Sequence, residues 1–513
     1  MSKFFCPLCF FILSTSVLAQ PTIQWQKTLG GTDYEEVRSV QLTTDGGFIV
    51  AGTALSDDGD VGANYGIYDA WVVRLDSTGT VVWKKNYGGS NFDQAYSIQQ
   101  TPDGGFVVAG NSESNDGDVS GNHGDEDAWV LKLDSEGNVQ WQKCLGGSKR
   151  DRAWNIQLTP DGGYVMIGES RSTDGDVTGN HGVEDYWVVK LSATAQIEWQ
   201  KSLGGSDFDH GYTISTTSDG GYIVAGEAQS NDGDVINLDG GLDAWVVKLN
   251  FEGKILWQRA LGGTLLDRAN EIHQTREGGY ILFGGTLSND GDVTGNHGGN
   301  DMWAVKLSEN GNIEWQRALG GTSEEYGQSI QQTVDGGFIA TGFVNSNNGD
   351  ITGNHGGRDL WVIKLSEGGN LLWQKTYGGT STDRGLSIKQ TSDQGYIVAG
   401  DTWSNNGDIN GNHGSSDFWI VKLSPEATPT SAPQSQPLTI SPNPATQSIT
   451  LNIPTETFTL NVRITDLLGR ELKQQSVLNN GTMDVSALPN GLYLVNATAR
   501  SGQVYIGKLR KEG

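Results

Sequence analysis

From Thr22 to Leu423 the chain is built of short runs in which apolar and polar residues alternate, each bounded by glycine, aspartate or asparagine. In "DAWVLKL", Trp129, Leu131 and Leu133 fall on one face and Val130 and Lys132 on the other, the period of two of a β-strand. Three similar runs accompany it: "YSIQQT" near 96, "GFVVAG" near 105 and "NVQWQK" near 138. We label the four runs a, b, c and d in the order YSIQQT, GFVVAG, DAWVLKL and NVQWQK. "TPDGG" at 101–105 and "DSEGN" at 134–138 supply compact turns between a and b and between c and d. Composition agrees, since 73 glycines and 16 tryptophans in 513 residues suit short strands joined by tight turns better than helices.

The runs repeat without insertion or deletion. "WQKTLGG" at Trp25 returns at Trp83, Trp141, Trp199, Trp257, Trp315 and Trp373, 58 residues apart each time, and Asp-x-Trp returns at the same spacing from Trp71 to Trp419. Four antiparallel strands per repeat, arrayed radially, make the blade of a β-propeller. The first copy opens with a lone d strand and the last stops after strand c at Leu423. Joining those ends completes a seventh blade and removes the exposed edges of an open array. The predicted fold is therefore all-β: a seven-bladed propeller over residues 20–423, followed by a smaller module.

Residues 1–19 have a basic start at Lys3, an apolar stretch and a small-residue end at Ala19, the pattern of a secretory signal peptide. No later stretch is apolar for long enough to form a membrane span. Cys144 is the only cysteine after that segment, and its repeat counterparts, such as Ser202 and Ala260, mark it as a small residue on a strand rather than a disulfide partner. The propeller carries 26 Lys and Arg against 55 Asp and Glu, a field that disfavours nucleic acid and anionic membranes and concentrates cations.

Residues 424–437 form a Pro/Ser/Thr linker. The following stretch, 438–513, reads as short strands of an Ig-like β-sandwich. Ser441-Pro442-Asn443-Pro444, "DLLGR" from Asp466 to Arg470, "PNGLY" from Pro489 to Tyr493 and the closing Gly507-Lys508-Leu509 stand in order along it. Over about 75 residues this module resembles the type A C-terminal sorting domain of the type IX secretion system of Bacteroidota. The resemblance implies export across the outer membrane, contact with the secretion machinery and its sorting peptidase, and a passenger attached to the cell surface or released.

Alternating strand direction puts the d-to-a and b-to-c connections on one rim. The first carries one acid per blade, Glu35, Asp93, Asp151, Asp209, Asp267, Glu325 and Asp383, so that rim is expected to be acidic. The second is about 16 residues long, as in "SNDGDVTGNHGGNDMW" at 288–303. Counted from Asp290, oxygen carriers at positions one, three, five and twelve with Gly295 at six parallel the calcium loop of EF-hands. The candidate calcium ligands are Asp116, Asp118, Asn122 and Asp127; Asp174, Asp176, Asn180 and Asp185; and Asp290, Asp292, Asn296 and Asp301. The competing reading is a turn whose Asp and Asn side chains cap backbone amides; Asn348 and Asn406 replace the first acid in two copies. The histidines of this loop, His123, His181, His297, His355 and His413, stand one to a blade, which works against a shared transition-metal site.

Arg152, Arg268 and Arg384 occupy one repeat position on the way into the innermost strand, and three guanidiniums around a channel mouth would bind a carboxylate or glycan acid. Sialidases, also propellers, use such a triad; the competing reading pairs each arginine with the acid before it, Asp151, Asp267 or Asp383. "LDSEGNVQW" at 133–141 resembles the tryptophan-docking turn of quinoprotein propellers. No nucleophile–base pair, HExxH or phosphate loop stands outside the repeat. The sequence thus describes a secreted or surface-attached propeller that binds an extracellular protein or glycan, with a sialidase- or lyase-like enzyme acting at the channel mouth as the alternative.

Overall fold

A computed structural model describes residues 20–238, 240–426, 436–453, 459–466, 470–478, 480–499 and 504–513. The signal segment 1–19, most of the linker (427–435) and the centre of "DLLGR" (467–469) lie outside the described residues.

The repeats form seven four-stranded antiparallel sheets, each in the order a-b-c-d. In the third, these strands are Asp151–Leu158, Tyr164–Ser170, Asp185–Leu191 and Ile197–Leu203. The seventh is completed by the N-terminal strand Ile23–Leu29, which pairs with Asp417–Leu423. One apolar cluster joins Val37, Phe48 and Trp71 of the first blade to Leu386, Phe418 and Ile420 of the last, so the ring closes as the sequence predicts.

Each c strand is buried along its whole length, because the sheets before and after cover both of its faces. Lys132, which alternation assigns to a polar face, is therefore interior. Its ammonium meets Asp103 of the a-to-b turn at 2.9 Å and donates to the Leu133 carbonyl at 3.0 Å. The d-strand tryptophans lock blade to blade. Trp83 packs edge-on against Phe106 of the next blade at 5.9 Å and donates its indole N–H to the Ser135 carbonyl at 3.1 Å. Gly137 lies under that ring with φ +76°, where a Cβ would come within 2.9 Å of the indole. The docking turn thus receives Trp83 of the preceding blade, not its own Trp141.

The C-terminal unit holds a five-stranded and a three-stranded sheet around one apolar core that includes Ile440, Leu451, Val462 and Leu509, the expected sandwich. Among the described residues no helix is long and apolar enough to cross a membrane.

Candidate functional site

The seven innermost strands, from Glu35–Leu42 to Asp383–Gln390, surround a channel of about 940 Å³. Each carries a β-bulge after its third residue, as at Ala153/Asn155. The bulge breaks the alternation, so that the second and fourth residues, then the fifth and seventh, turn toward the channel: Arg152, Trp154, Asn155 and Gln157 in the third blade.

The acid that opens each of these strands does not reach the rim surface, which corrects the expectation of an acidic crown at these positions. Glu35, Asp93, Asp151, Asp209, Asp267, Glu325 and Asp383 are all fully buried. Asp151 accepts from the Gly147 amide and the Ser172 hydroxyl, both at 2.7 Å, and from Ser170. It therefore ties the d-to-a connection to the start of the b-to-c loop.

The loop residues proposed for calcium are likewise engaged with donors. Asp116 accepts from the Ser90 amide at 2.8 Å, Asp174 from Ser148 at 2.7 Å and Asp290 from Thr264 at 2.9 Å. Asn348 does the same for Thr322, which explains why amide and acid interchange at this position. Asn122, Asn180 and Asn296 bridge backbone groups of their own loop. Asp118 and Asp176 face the Gly88 and Gly146 amides at 3.4 Å, and the Asp292 amide donates to the Gly262 carbonyl at 2.7 Å.

At the loop's end, Asp127, Asp185 and Asp301 are interior and accept from both the amide and Nδ1 of His123, His181 and His297. The second oxygen of Asp127, without a hydrogen-bond partner, lies against Gly146, where a Cβ would stand 2.8 Å away. Burial lifts these three carboxyls to about 6. Asp116 and Asp127 thus serve as acceptors within the folded loop, the role the turn reading assigns them. Each of the five loop histidines puts its Nδ1 on the aspartate of its own blade, and His297 also brings Nε2 within 3.8 Å of Asp350 in the next blade. Cys144 is buried, and burial pushes its thiol up to about 12.

The second channel position is where the repeat stops being regular. Its occupants are Glu36, Gln94, Arg152, His210, Arg268, Tyr326 and Arg384. Adjacent strand residues point to opposite faces, so the arginines do not pair with the preceding acids. Arg152 meets Glu126 at 3.0 Å and Glu169 at 3.7 Å, while Arg384 meets Asp401 at 2.5 Å and Glu36 at 2.9 Å. Arg268 has no ion pair or hydrogen bond among the described residues. The three arginines are thus not equivalent, and the triad expected from spacing resolves into two paired residues and one unpaired.

Around Arg152 the charges form a closed network. Glu184 takes Arg150 at 2.6 Å and Arg171 at 2.9 Å, and His210 spans Glu184 at 3.4 Å and Glu227 at 3.2 Å. Burial opposes a charged His210, yet its hydrogen bonds to Glu184 and Glu227 outweigh that and raise it to about 10. Arg150, Arg152, Arg171 and His210 balance Glu126, Glu169, Glu184 and Glu227. Glu169, Glu184 and His210 also bring ligand atoms within 4.8 Å of one another, but a metal there would have to displace the cations already neutralising these carboxylates.

The fourth channel position, which sequence reasoning missed, holds Arg38, Tyr96, Trp154 and Tyr212 in four successive blades. Tyr96 and Trp154 lie 4.3 Å apart, Trp154 and Tyr212 5.9 Å apart, and Arg38 sits 5.3 Å over Tyr96. Their variation from blade to blade within a repeat of constant length was the available signal.

Fold and site together define a seven-bladed propeller with an irregular channel wall, joined to a C-terminal sandwich. Residues 439–511 match the family described as the secretion system C-terminal sorting domain. That domain directs export across the outer membrane to the cell surface or extracellular space, and it engages the type IX secretion machinery. The chain is 21% identical over 335 residues to the regulatory protein FlaEY of Caulobacter vibrioides, a match covering 57% of this chain and 35% of that protein. It thus spans about a third of the length of that relative. Among solved structures, Sqt1 from Chaetomium thermophilum aligns over 80% of this chain and 100% of its own, at 10% identity and TM-score 0.41. The Pan2 WD40 domain of Neurospora crassa aligns over 61% and 91%, at 12% identity and TM-score 0.35.

Proposed function

We propose that this protein is an extracellular recognition module whose ligand enters the channel mouth, exported by its sorting domain and then held on the surface or released after the sorting peptidase acts. The observation that supports this reading is the contrast between framework and wall. The tryptophans of strands c and d recur in all seven copies, whereas the second and fourth channel positions differ from blade to blade, spread five cations around the channel and gather the fourth-position aromatics on one side. Irregular residues grafted onto a regular scaffold are where a site is expected.

His210 is held as a cation between two carboxylates, and the Tyr212 hydroxyl, which donates to Glu227 at 2.7 Å, is kept protonated by burial and that carboxylate, which supports reading the wall as a binding surface. Capture of a glycan or protein by the intact chain from a panel of extracellular polysaccharides and surface proteins, with no product by mass spectrometry, is the expected result. Turnover that is lost in Arg268→Ala would replace this reading with that of a carbohydrate-active enzyme.

A further inference from the structure

Blade 5 departs from its neighbours in a way that specifies a ligand chemistry, and the inference rests on the channel-mouth reading above. Arg152 and His210 are each matched by acids from two fixed repeat positions, and Arg384 by an acid from the first of them. One is the b-strand residue paired with the cation: Glu169 beside Arg152, Glu227 beside His210, Asp401 beside Arg384. The other is the residue before strand c of the preceding blade, Glu126 for Arg152 and Glu184 for His210. In blade 5 these positions hold Gly285 and Leu242. Both counter-charges are missing, and Arg268 lines the channel unpaired.

Beside it, Asn300, only 3% exposed, folds over Gly285, where a Cβ would stand 2.9 Å from its Oδ1. That oxygen has no hydrogen-bond partner. The charge of Arg268 reaches Glu227 of the preceding blade, but no carboxylate touches the guanidinium, and a planar carboxylate is the anion its fork fits best. A net charge of −27 on the whole chain disfavours heavily charged ligands such as polyphosphates.

The wall running from Arg268 supplies the second half of the site. Tyr212, Trp154 and Tyr96 are aligned along it, and their polar tips are turned away to Glu227 at 2.7 Å, Glu169 at 2.9 Å and Gln94 at 2.8 Å. Arg38 and Arg152 stand over Tyr96 and Trp154 at 5.3 and 6.0 Å, and the ring surface left facing the channel is suited to the C–H face of a saturated ring. We infer that Arg268 and the Tyr212–Trp154–Tyr96 wall form a subsite for a carboxylate-bearing sugar ring, the guanidinium taking the carboxylate and the aromatics the ring.

The test is calorimetric titration of the intact chain with trigalacturonate and sialyllactose, against trigalacturonate methyl ester and lactose as neutral counterparts and benzoate as a carboxylate without a sugar. At least one acidic sugar is expected to bind, its neutral counterpart and benzoate far more weakly. Affinity for it should fall roughly tenfold or more in Arg268→Ala. Leu242→Glu, which restores the acid found as Glu126 and Glu184, should weaken binding similarly while near-UV circular dichroism is unchanged. Equal binding of acidic and neutral sugars, or affinity untouched by both substitutions, overturns the inference. Binding of benzoate as tight as that of the sugars overturns the sugar assignment. If Trp154→Ala abolishes capture of another ligand while no acidic sugar binds, the channel reading stands and this inference falls. If Trp154→Ala affects no capture at all, both fall.

Discussion

Single carboxyls set much of this protein's expected response to pH. Asp69, Asp127, Asp185, Asp301 and Asp359 are fully buried, and burial raises each to about 6. A raised folded-state value means that protonation favours the fold: that stabilisation is complete below about pH 4 and is lost as pH rises through 6. Asp103, Asp161 and Asp219, held down at about 2 by hydrogen bonds and lysines that outweigh burial, act oppositely and only below about pH 4. Unfolding free energy should therefore rise as pH falls from 7.5 to 5, by on the order of 1 kcal/mol for each of the five carboxyls, carrying the melting temperature up with it, and Asp127→Asn should shrink that rise. A melting temperature that falls steadily over the same interval would contradict these assignments.

Within each blade, the double glycine of "LGG" is where sequence and geometry meet most closely. A Cβ on Gly147 would lie 2.5 Å from the Asp174 carbonyl oxygen, so Gly147→Ala must push the b-to-c loop away. The cost should be about 1–3 kcal/mol in urea denaturation. Trp187, fully buried in its c strand, should cost about 3–5 kcal/mol when changed to alanine. Strand positions, turns and repeat phase were legible because alternation and glycine spacing are local properties. The role of the loop acids was not, because Asp116 and Ser90 lie 26 residues apart and meet only after the blade folds. The partners of Arg152 were hidden for the same reason: they come from a neighbouring strand and a neighbouring blade, while the acid beside it in sequence points the other way.

At the scale of the molecule, closure and export are separable. Removing residues 20–29 deletes the strand that completes the seventh blade, exposing the edge of Asp417–Leu423. Such a chain should self-associate on size-exclusion chromatography, whereas the intact chain should not. Deleting 439–511 should leave the propeller behind the outer membrane, as read by surface proteolysis, with its melting transition retained.

The central claim is that recognition belongs to the channel wall and not to the rim loops. Its most direct measurement is a glycan and surface-protein array probed in parallel with the intact chain, Trp154→Ala and Asp116→Ala, all three checked for equal folding. Trp154→Ala should lose the captured ligand and Asp116→Ala should keep it. Loss with Asp116→Ala and retention with Trp154→Ala would place the site on the rim and contradict the account.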